Sequence, residues 1–432
     1  MSKGKHELNR NRQQEDRGRQ QYQNNNRDQN NYNGYRDNNR YYDNNNRKQS
    51  TGAQKTLKVL IGIFLVILVV LLVFFLRDIF TPGSVLTPGE NGDDNNTVQD
   101  PADDLHPDST PLPLRTPDPH ANLDGSNPLT GAPMDDRYTR NRPIAVVLNN
   151  VPQALPMNGV ADADIIFEYS VEGGLTRMLA LYQDVSLVGL IGSIRSARHY
   201  TVQLAESFDA IFLCAGRSPQ ALTEMRNLGI PVLNEVEGPH RDVFYRDRNR
   251  IPDRRVDNVH SVVTSGDRLM HFLPGLDFRL LHENDYKHVF TFVEDGTPSG
   301  GMDAESAVVS FSSGKTTSFI HDPAEGGYYV RQADRDFTDA NDNSRPVFAN
   351  IIVIKTSVTG LLGDDAGRLD ITTTGSGEGY FVSGGKYVEI NWSRENKSAP
   401  FIYTLKNGER FDFGIGKTYI CVIPTNMSAV FR

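Results

Sequence analysis

Two cysteines in 432 residues, Cys214 and Cys421, cannot staple a folded region of some 300 residues. There is no C-x-x-C pair and no Cys/His cluster, so neither a disulfide scaffold nor a structural zinc module fits. Basic excess is also missing. The chain holds 45 Lys and Arg against 54 Asp and Glu, net -9, so its bulk is unsuited to binding polyanions and nucleic acid is not an expected partner of the folded part. A G-x-S-x-G turn that would expose a nucleophilic serine is absent. The glycine-rich run 375–379 lies between two strand-like segments, not between a strand and a helix, so it is no phosphate loop. No repeat of fixed period is found.

What is present divides into unlike segments. Residues 59 to 76, from Val59 to Leu76 (VLIGIFLVILVVLLVFFL), carry no charge and make about 27 Å of helix, enough with flanking residues to cross a bilayer. A transmembrane helix is expected there. The twenty residues before it include Arg40, Arg47, Lys48, Lys55 and Lys58, and the twenty after it only Arg77. That bias keeps the N-terminus cytoplasmic and exports the rest, as a single-pass protein of the cell membrane. A cleaved signal peptide fits poorly, because the apolar run is long and begins far from the start. Residues 1–58 are basic, with 13 Lys and Arg against 6 Asp and Glu and 13 asparagines in the first fifty positions. With so few aliphatic side chains this head is expected to be disordered. Its Arg/Tyr alternation could meet single-stranded nucleic acid or anionic lipid headgroups, but a solvated tail is the favoured reading. Residues 77–126, with eight prolines and ten acidic residues, read as an extended acidic stalk.

Patterned sequence runs from 127 to 432. In 127–275 apolar runs (IAVVLN at 144–149, DIIFEYS at 164–170, RMLALYQ at 177–183, DAIFLCAG at 209–216) alternate with helix-like stretches, which predicts an α/β domain. Ser218 is a helix N-cap followed by Pro219, and Gly229 is the stop of that helix. In 276–432 the runs are short and β-rich and separated by glycine turns, which predicts a β sandwich or barrel-like second domain.

The richest stretch is 162–198. Two strands flank Gly173-Gly174, a pair able to take positive φ, so a hairpin is expected with Glu172 and Arg177 near its tip. Alternation puts Ile166, Glu168 and Ser170 on one side, so Glu168 needs a partner on an otherwise apolar strand; Arg177, Arg195 or Arg198 could supply it. The run GSIRSARH at 192–199 sets Arg195, Ser196 and Arg198 where a helix begins, an arrangement suited to a carboxylate, phosphate or sulfated group. The competing reading is that these arginines pair internally with Glu168, Glu172 and Asp164.

Other chemistry is constrained by spacing. Ser193, Ser196 or Ser218 with His199, His240 or His260 would need the fold to assemble a triad. Glu168 and Glu172 as a glycosidase pair would lie about 13 Å apart on an extended strand, beyond the roughly 5 to 9.5 Å such chemistry uses, unless the chain bends at Val171. Asp162 and Asp164 form a short D-x-D without further ligands, so no metal and no cofactor are expected. Cys214 and Cys421 lie in apolar runs and read as buried hydrophobes. Trp392 reads as core or partly exposed, where it could help Arg394 to hold a sugar.

NPLTGAP (127–133), RPIAVVLNN (142–150), ADIIFEYSVEGGLTRMLALY (163–182), GSIRSARHY (192–200), FDAIFLCAGRSPQAL (208–222), GSGEGYFVSGGKYVEINWSR (375–394) and GKTYICVIPTN (416–426) resemble the YerB-type family, catalogued as a domain of unknown function with N-terminal and C-terminal parts. The resemblance implies an extracytoplasmic, membrane-attached bacterial protein, typically a lipoprotein, with no established activity. This chain departs from that pattern by carrying an anchor helix in place of a lipid-modified cysteine. Glu168, Glu172, Arg177, Arg195, Ser196, Arg198 and His260 match family positions, to which the resemblance assigns no role. The expected function is binding of a cell-envelope ligand, an anionic glycan, peptide or protein, at Glu168, Glu172, Arg177, Arg195, Ser196 and Arg198, by a protein that is not an enzyme. The alternatives are a cell-wall hydrolase using Glu168 or Glu172, and an envelope scaffold.

Overall fold

The computed structural model describes residues 125–432. The expected head, the membrane helix from Val59 to Leu76 and almost all of the stalk lie outside the described residues. Among the described residues no helix is long and apolar enough to cross a membrane.

The first part supplies β1 (Ile144–Asn149), β2 (Ile165–Ser170), β3 (Thr176–Tyr182), β4 (Leu190–Gly192), α1 (His199–Glu206), β5 (Ile211–Cys214), α2 (Pro219–Leu228), β6 (Val232–Asn234), β7 (Tyr245–Arg246), β8 (Val262–Ser265) and α3 (Gly266–Phe272). The second part is nearly all strand: β9 (Ser306–Ser312), β10 (Lys315–Asp322), β11 (Gly327–Gln332), β12 (Asn350–Thr356), β13 (Gly375–Ser383), β14 (Lys386–Arg394), β15 (Thr418–Pro424) and β16 (Ala429–Phe431). A β-rich ectodomain in two parts is therefore what the chain builds.

The two parts share one sheet. Its order is β6-β5-β1-β3-β2-β15-β12-β13-β14, with Met302–Asp303 and Ile402–Leu405 both paired to β14 to give eleven strands. The seam is β15, which lies parallel to β2 on one side and to β12 on the other. Every residue of β1, β2 and β3 is buried, because both faces of the sheet are covered; this is why these strands read as continuous apolar runs without alternation.

On one face α1 and α2 close a core with Val147, Phe167, Leu179, Phe212, Ile352 and Ile420. On the other face β9, β10 and β11, joined by β16 at one edge, pack Val309, Phe319 and Val330 against Tyr419, Cys421 and Val353. Sheet-on-sheet packing in the second part was thus legible, but one of the two sheets is the first part's own sheet continued. A three-stranded sheet, β4-β8-β7, and α3 complete this face beside β1.

The local signals hold at the helix ends. Ser218 Oγ accepts from the Ala221 N–H at 3.1 Å, and Gly229 takes φ 67° at the end of α2. Ser218→Ala is expected to cost about 1 kcal/mol in a urea melt, the usual worth of an N-cap.

Candidate functional site

β1, β2, β5 and β15 are mutually parallel, so their carboxyl ends share one edge of the sheet. β3 is antiparallel to β1 and β2, so the β2–β3 turn lies at this edge too. In open α/β sheets this edge is where ligands are met, because the loops that leave the strands gather there. Gly173 and Gly174 turn the hairpin with φ 72° and 71°, as the sequence predicts.

The segment 193–198 is laced into the same edge. Arg195 N–H donates to Val147 O at 2.8 Å, Ile194 N–H to Val262 O at 2.8 Å, and the Ala215 N–H donates to Arg195 O at 3.0 Å. These bonds hold the backbone between β1, β5 and β8, and Arg198 is the N-cap residue of α1. Three guanidinium groups, those of Arg177, Arg195 and Arg198, are thereby gathered with one carboxylate, that of Glu172.

Each arginine is held differently. Arg198 grips Glu172 with both prongs of its fork, Nε to Oε1 at 2.5 Å and Nη2 to Oε2 at 2.9 Å. Arg177 is buried and donates from Nη1 to Ser196 O at 2.5 Å. Arg195 donates from Nη1 to Val259 O at 3.1 Å, and its Nε is buried without a hydrogen-bond partner. Burial works against the charge of Glu172, but the Arg198 hydrogen bond and charge outweigh it and hold the carboxyl below its usual range. Burial, with Arg198 adding repulsion, pulls Arg177 down to about 10 and lowers Arg195 as well. The cluster is thus short of negative charge.

His260 stands at its side. Asn149 Oδ1 accepts from the Asn150 N–H, which orients the amide, so Asn149 Nδ2 donates to His260 Nδ1 at 3.0 Å and the ring proton lies on Nε2. Burial, then the charges of Arg195 and Arg250, hold this imidazole below its usual value. Behind it, buried Arg250 donates to His260 O and Pro156 O at 2.8 and 3.0 Å, to Asn158 Oδ1 at 2.9 Å, and to Ala154 O.

Glu168 does not belong to this group, which corrects the expectation that it binds ligand and is paired by an arginine. It points to the opposite face of the sheet and is fully buried. Oε1 accepts from Asn150 Nδ2 at 2.9 Å and Thr176 Oγ1 at 2.7 Å; Oε2 accepts from Thr317 Oγ1 and Tyr419 OH, both at 2.7 Å. Lys315 Nζ lies 3.3 Å from Oε1. With four donors and one ammonium around it, this carboxylate is sealed between the sheets and has no access to a substrate. Ser196 belongs to the group as a loop tie, its Oγ donating to Ala215 O at 2.9 Å.

The remaining sequence candidates do other work. Among the described residues none of Ser193, Ser196 and Ser218 hydrogen-bonds a histidine, and His199 instead pairs with Asp370 at 2.8 Å. Asp164 is buried, accepts from Asn127 Nδ2 at 2.8 Å and the Gln183 N–H at 2.6 Å, and is pushed up to about 6 by burial. The nearby cation is Lys417, whose ammonium donates to Ala161 O. No group of three or more potential metal-ligating side chains occurs among the described residues. Cys214 and Cys421 are buried and free. Trp392 is buried with Nε1 donating to Lys355 O at 3.1 Å, and Arg394 is buried beside it, so neither is open to a sugar. Sequence reading passed over Arg250, Lys315 and Tyr419, which have no local motif; their partners are contributed by distant segments of the chain.

Comparison with known proteins agrees with this architecture. Residues 129–279 match the N-terminal domain of the protein family of unknown function DUF3048, and residues 307–420 match its C-terminal domain. A curated relative, "Putative lipoprotein YerB" of Bacillus subtilis (strain 168), is 28% identical over 300 residues, which cover 69% of this chain and 86% of that protein. The crystal structure of YerB protein from Bacillus subtilis superposes with a TM-score of 0.60 at 27% identity, covering 71% of this chain and 99% of that one. The chain therefore belongs to the YerB-like DUF3048 family, with both of the family's domains present.

Proposed function

We propose that this is a membrane-anchored extracytoplasmic protein that binds an anionic cell-envelope ligand, borne on a glycan, peptide or protein, through Arg177, Arg195 and Arg198. Anchoring is supported by the lipoprotein name of the relative and by the apolar run from Val59 to Leu76 with its cytoplasmic Lys/Arg bias. The observation that carries the binding reading is the charge imbalance at the sheet edge: Arg177, Arg195 and Arg198 act on one another through their charges, Glu172 pairs with Arg198 alone, and Arg195 Nε is unpaired. Arginine forks recognise carboxylate and phosphate oxygens in pairs. A hydrolase built on Glu168 has no support, because both of its oxygens are occupied in the core.

The test is sedimentation of the full-length protein, in detergent, with isolated cell walls and with solubilised envelope protein. Binding is expected to fall at least about tenfold in the double variant Arg195→Ala/Arg198→Ala, the loss of about 1.4 kcal/mol or more, and to weaken as salt rises. Equal retention of wild type and variant, or no retention of either, would remove the reading. Labelling of the ectodomain from outside intact cells checks the orientation independently.

A further inference from the structure

We infer that Glu172 is an internal stand-in for the anionic group of the ligand, and that the group it stands in for is a phosphoryl group carrying two negative charges. This rests on the anion-binding reading above and specifies what that site selects. The first observation is the grip itself. Arg198 holds the Glu172 carboxylate through Nε and Nη2, the same two-pronged contact that a guanidinium makes with two oxygens of a phosphate. An incoming anion that engages Arg198 in its best geometry must take this place.

The second observation is that Glu172 can yield it. Its side chain is partly exposed and sits in the short 3-10 turn Glu172–Gly174. The backbone of the turn is fixed from outside, by the Val171 N–H on Leu175 O at 2.8 Å and by Ser312 Oγ on Gly174 O at 2.8 Å. Partly exposed on a turn whose backbone is held, Glu172 leaves Arg198 by rotating its own side chain toward solvent, with no movement of the hairpin.

The third observation is the charge count. Releasing Glu172 leaves Arg198 without its carboxylate beside the charges of Arg177 and Arg195, which it repels. A ligand with a single carboxylate exchanges one negative charge for another at Arg198 and gains little. A doubly charged phosphoryl group replaces the carboxylate and brings a further negative charge to a cluster in which Arg177, Arg195 and Arg198 repel one another. Glu172 thereby works as a filter that makes single carboxylates poor ligands.

Titration calorimetry on the full-length protein in detergent tests this, with inorganic phosphate and acetate as probes and short-chain phosphatidic acid as the lipid-borne form of the same group. Wild type is expected to bind inorganic phosphate at least about tenfold more tightly than acetate. Tighter binding of the phosphatidic acid than of inorganic phosphate would assign the group to a lipid headgroup, and the reverse order to a soluble or polymer-borne phosphate; both support the inference. Glu172→Gln keeps the side-chain size and one acceptor for Arg198, and it is expected to tighten acetate by about tenfold and inorganic phosphate by less, which narrows the ratio between them. Unchanged or weaker binding by a folded Glu172→Gln overturns the inference, even while Arg195→Ala still weakens binding and the anion site stands. If Glu172→Gln fails to fold, a wild-type phosphate-to-acetate ratio near one overturns it instead. If Arg195→Ala and Arg198→Ala leave both anions bound as in wild type, it is the anion site itself that fails.

Discussion

Glu168→Ala is expected to lower the unfolding free energy by about 3–5 kcal/mol, the range for breaking a buried, fully bonded charge cluster, and to show as a large drop in the urea midpoint. The reason is what the substitution leaves behind. The hydroxyls of Thr176, Thr317 and Tyr419 and the amide of Asn150 all donate to this carboxylate, and each would remain in the core without its acceptor. Lys315, 3.3 Å from Oε1, would lose its counter-charge. Because Thr317 belongs to β10 and Tyr419 to β15, the loss also loosens the packing of the second sheet on the main one. A far smaller effect of Glu168→Ala, with the fold intact, would mean that Glu168 is not the tie between the sheets. Glu168→Gln is the informative companion. It preserves shape but turns one acceptor into a donor facing Asn150, Thr176 or the Thr317/Tyr419 pair, so it is expected to lie between wild type and alanine.

Arg250→Met is expected to cost about 3 kcal/mol, because four buried or part-buried acceptors would each lose their donor at roughly 0.5–1 kcal/mol apiece. Met keeps the apolar stem and removes only the guanidinium, so the loss measures the hydrogen bonds and not a cavity. The residue has no carboxylate among its hydrogen-bond partners; it binds Ala154 O, Pro156 O, His260 O and Asn158 Oδ1. Burial brings its pKa down to about 10, and it remains charged at neutral pH. It ties the 154–158 loop to His260, next to Arg195. Two readouts separate the roles: a thermal melt reports the lost bonds, and anion binding reports any displacement of the site. The predicted loss of stability with unaltered anion binding by the folded protein is the expected pattern, since Arg250 does not hydrogen-bond any of the three site arginines.

The sequence carried the local structure of this protein to a fine grain. The runs at 144–149, 164–170 and 177–183 are β1, β2 and β3 to within a residue, because strands covered on both faces must be apolar throughout. The glycine pair at 173–174 demanded a left-handed turn and forms one, and Ser218-Pro219 and Gly229 bracket α2 because capping is decided within one helical turn. Such signals depend on neighbours in the chain. The pairing of Glu172 with Arg198 was also within reach, since internal pairing of these arginines with Glu172 is one of the readings the local sequence allows.

What only the tertiary structure decided were the pairings made across long separations. Glu168 and Glu172 are four residues apart, and their side chains enter different environments: one is locked to Tyr419, 251 positions away, and the other makes a part-buried pair with Arg198. Alternation along the strand placed Glu168 on a face; it could not say that β10 and β15 would bring hydroxyls and a lysine to that face in place of an arginine. The same reason explains why two textures of sequence do not make two separate sheets. The insertion of β15 between β2 and β12 is a choice among strands of similar apolar character, and it is settled by which edge buries the most surface on both faces, a quantity that belongs to the assembled fold and to no segment of it.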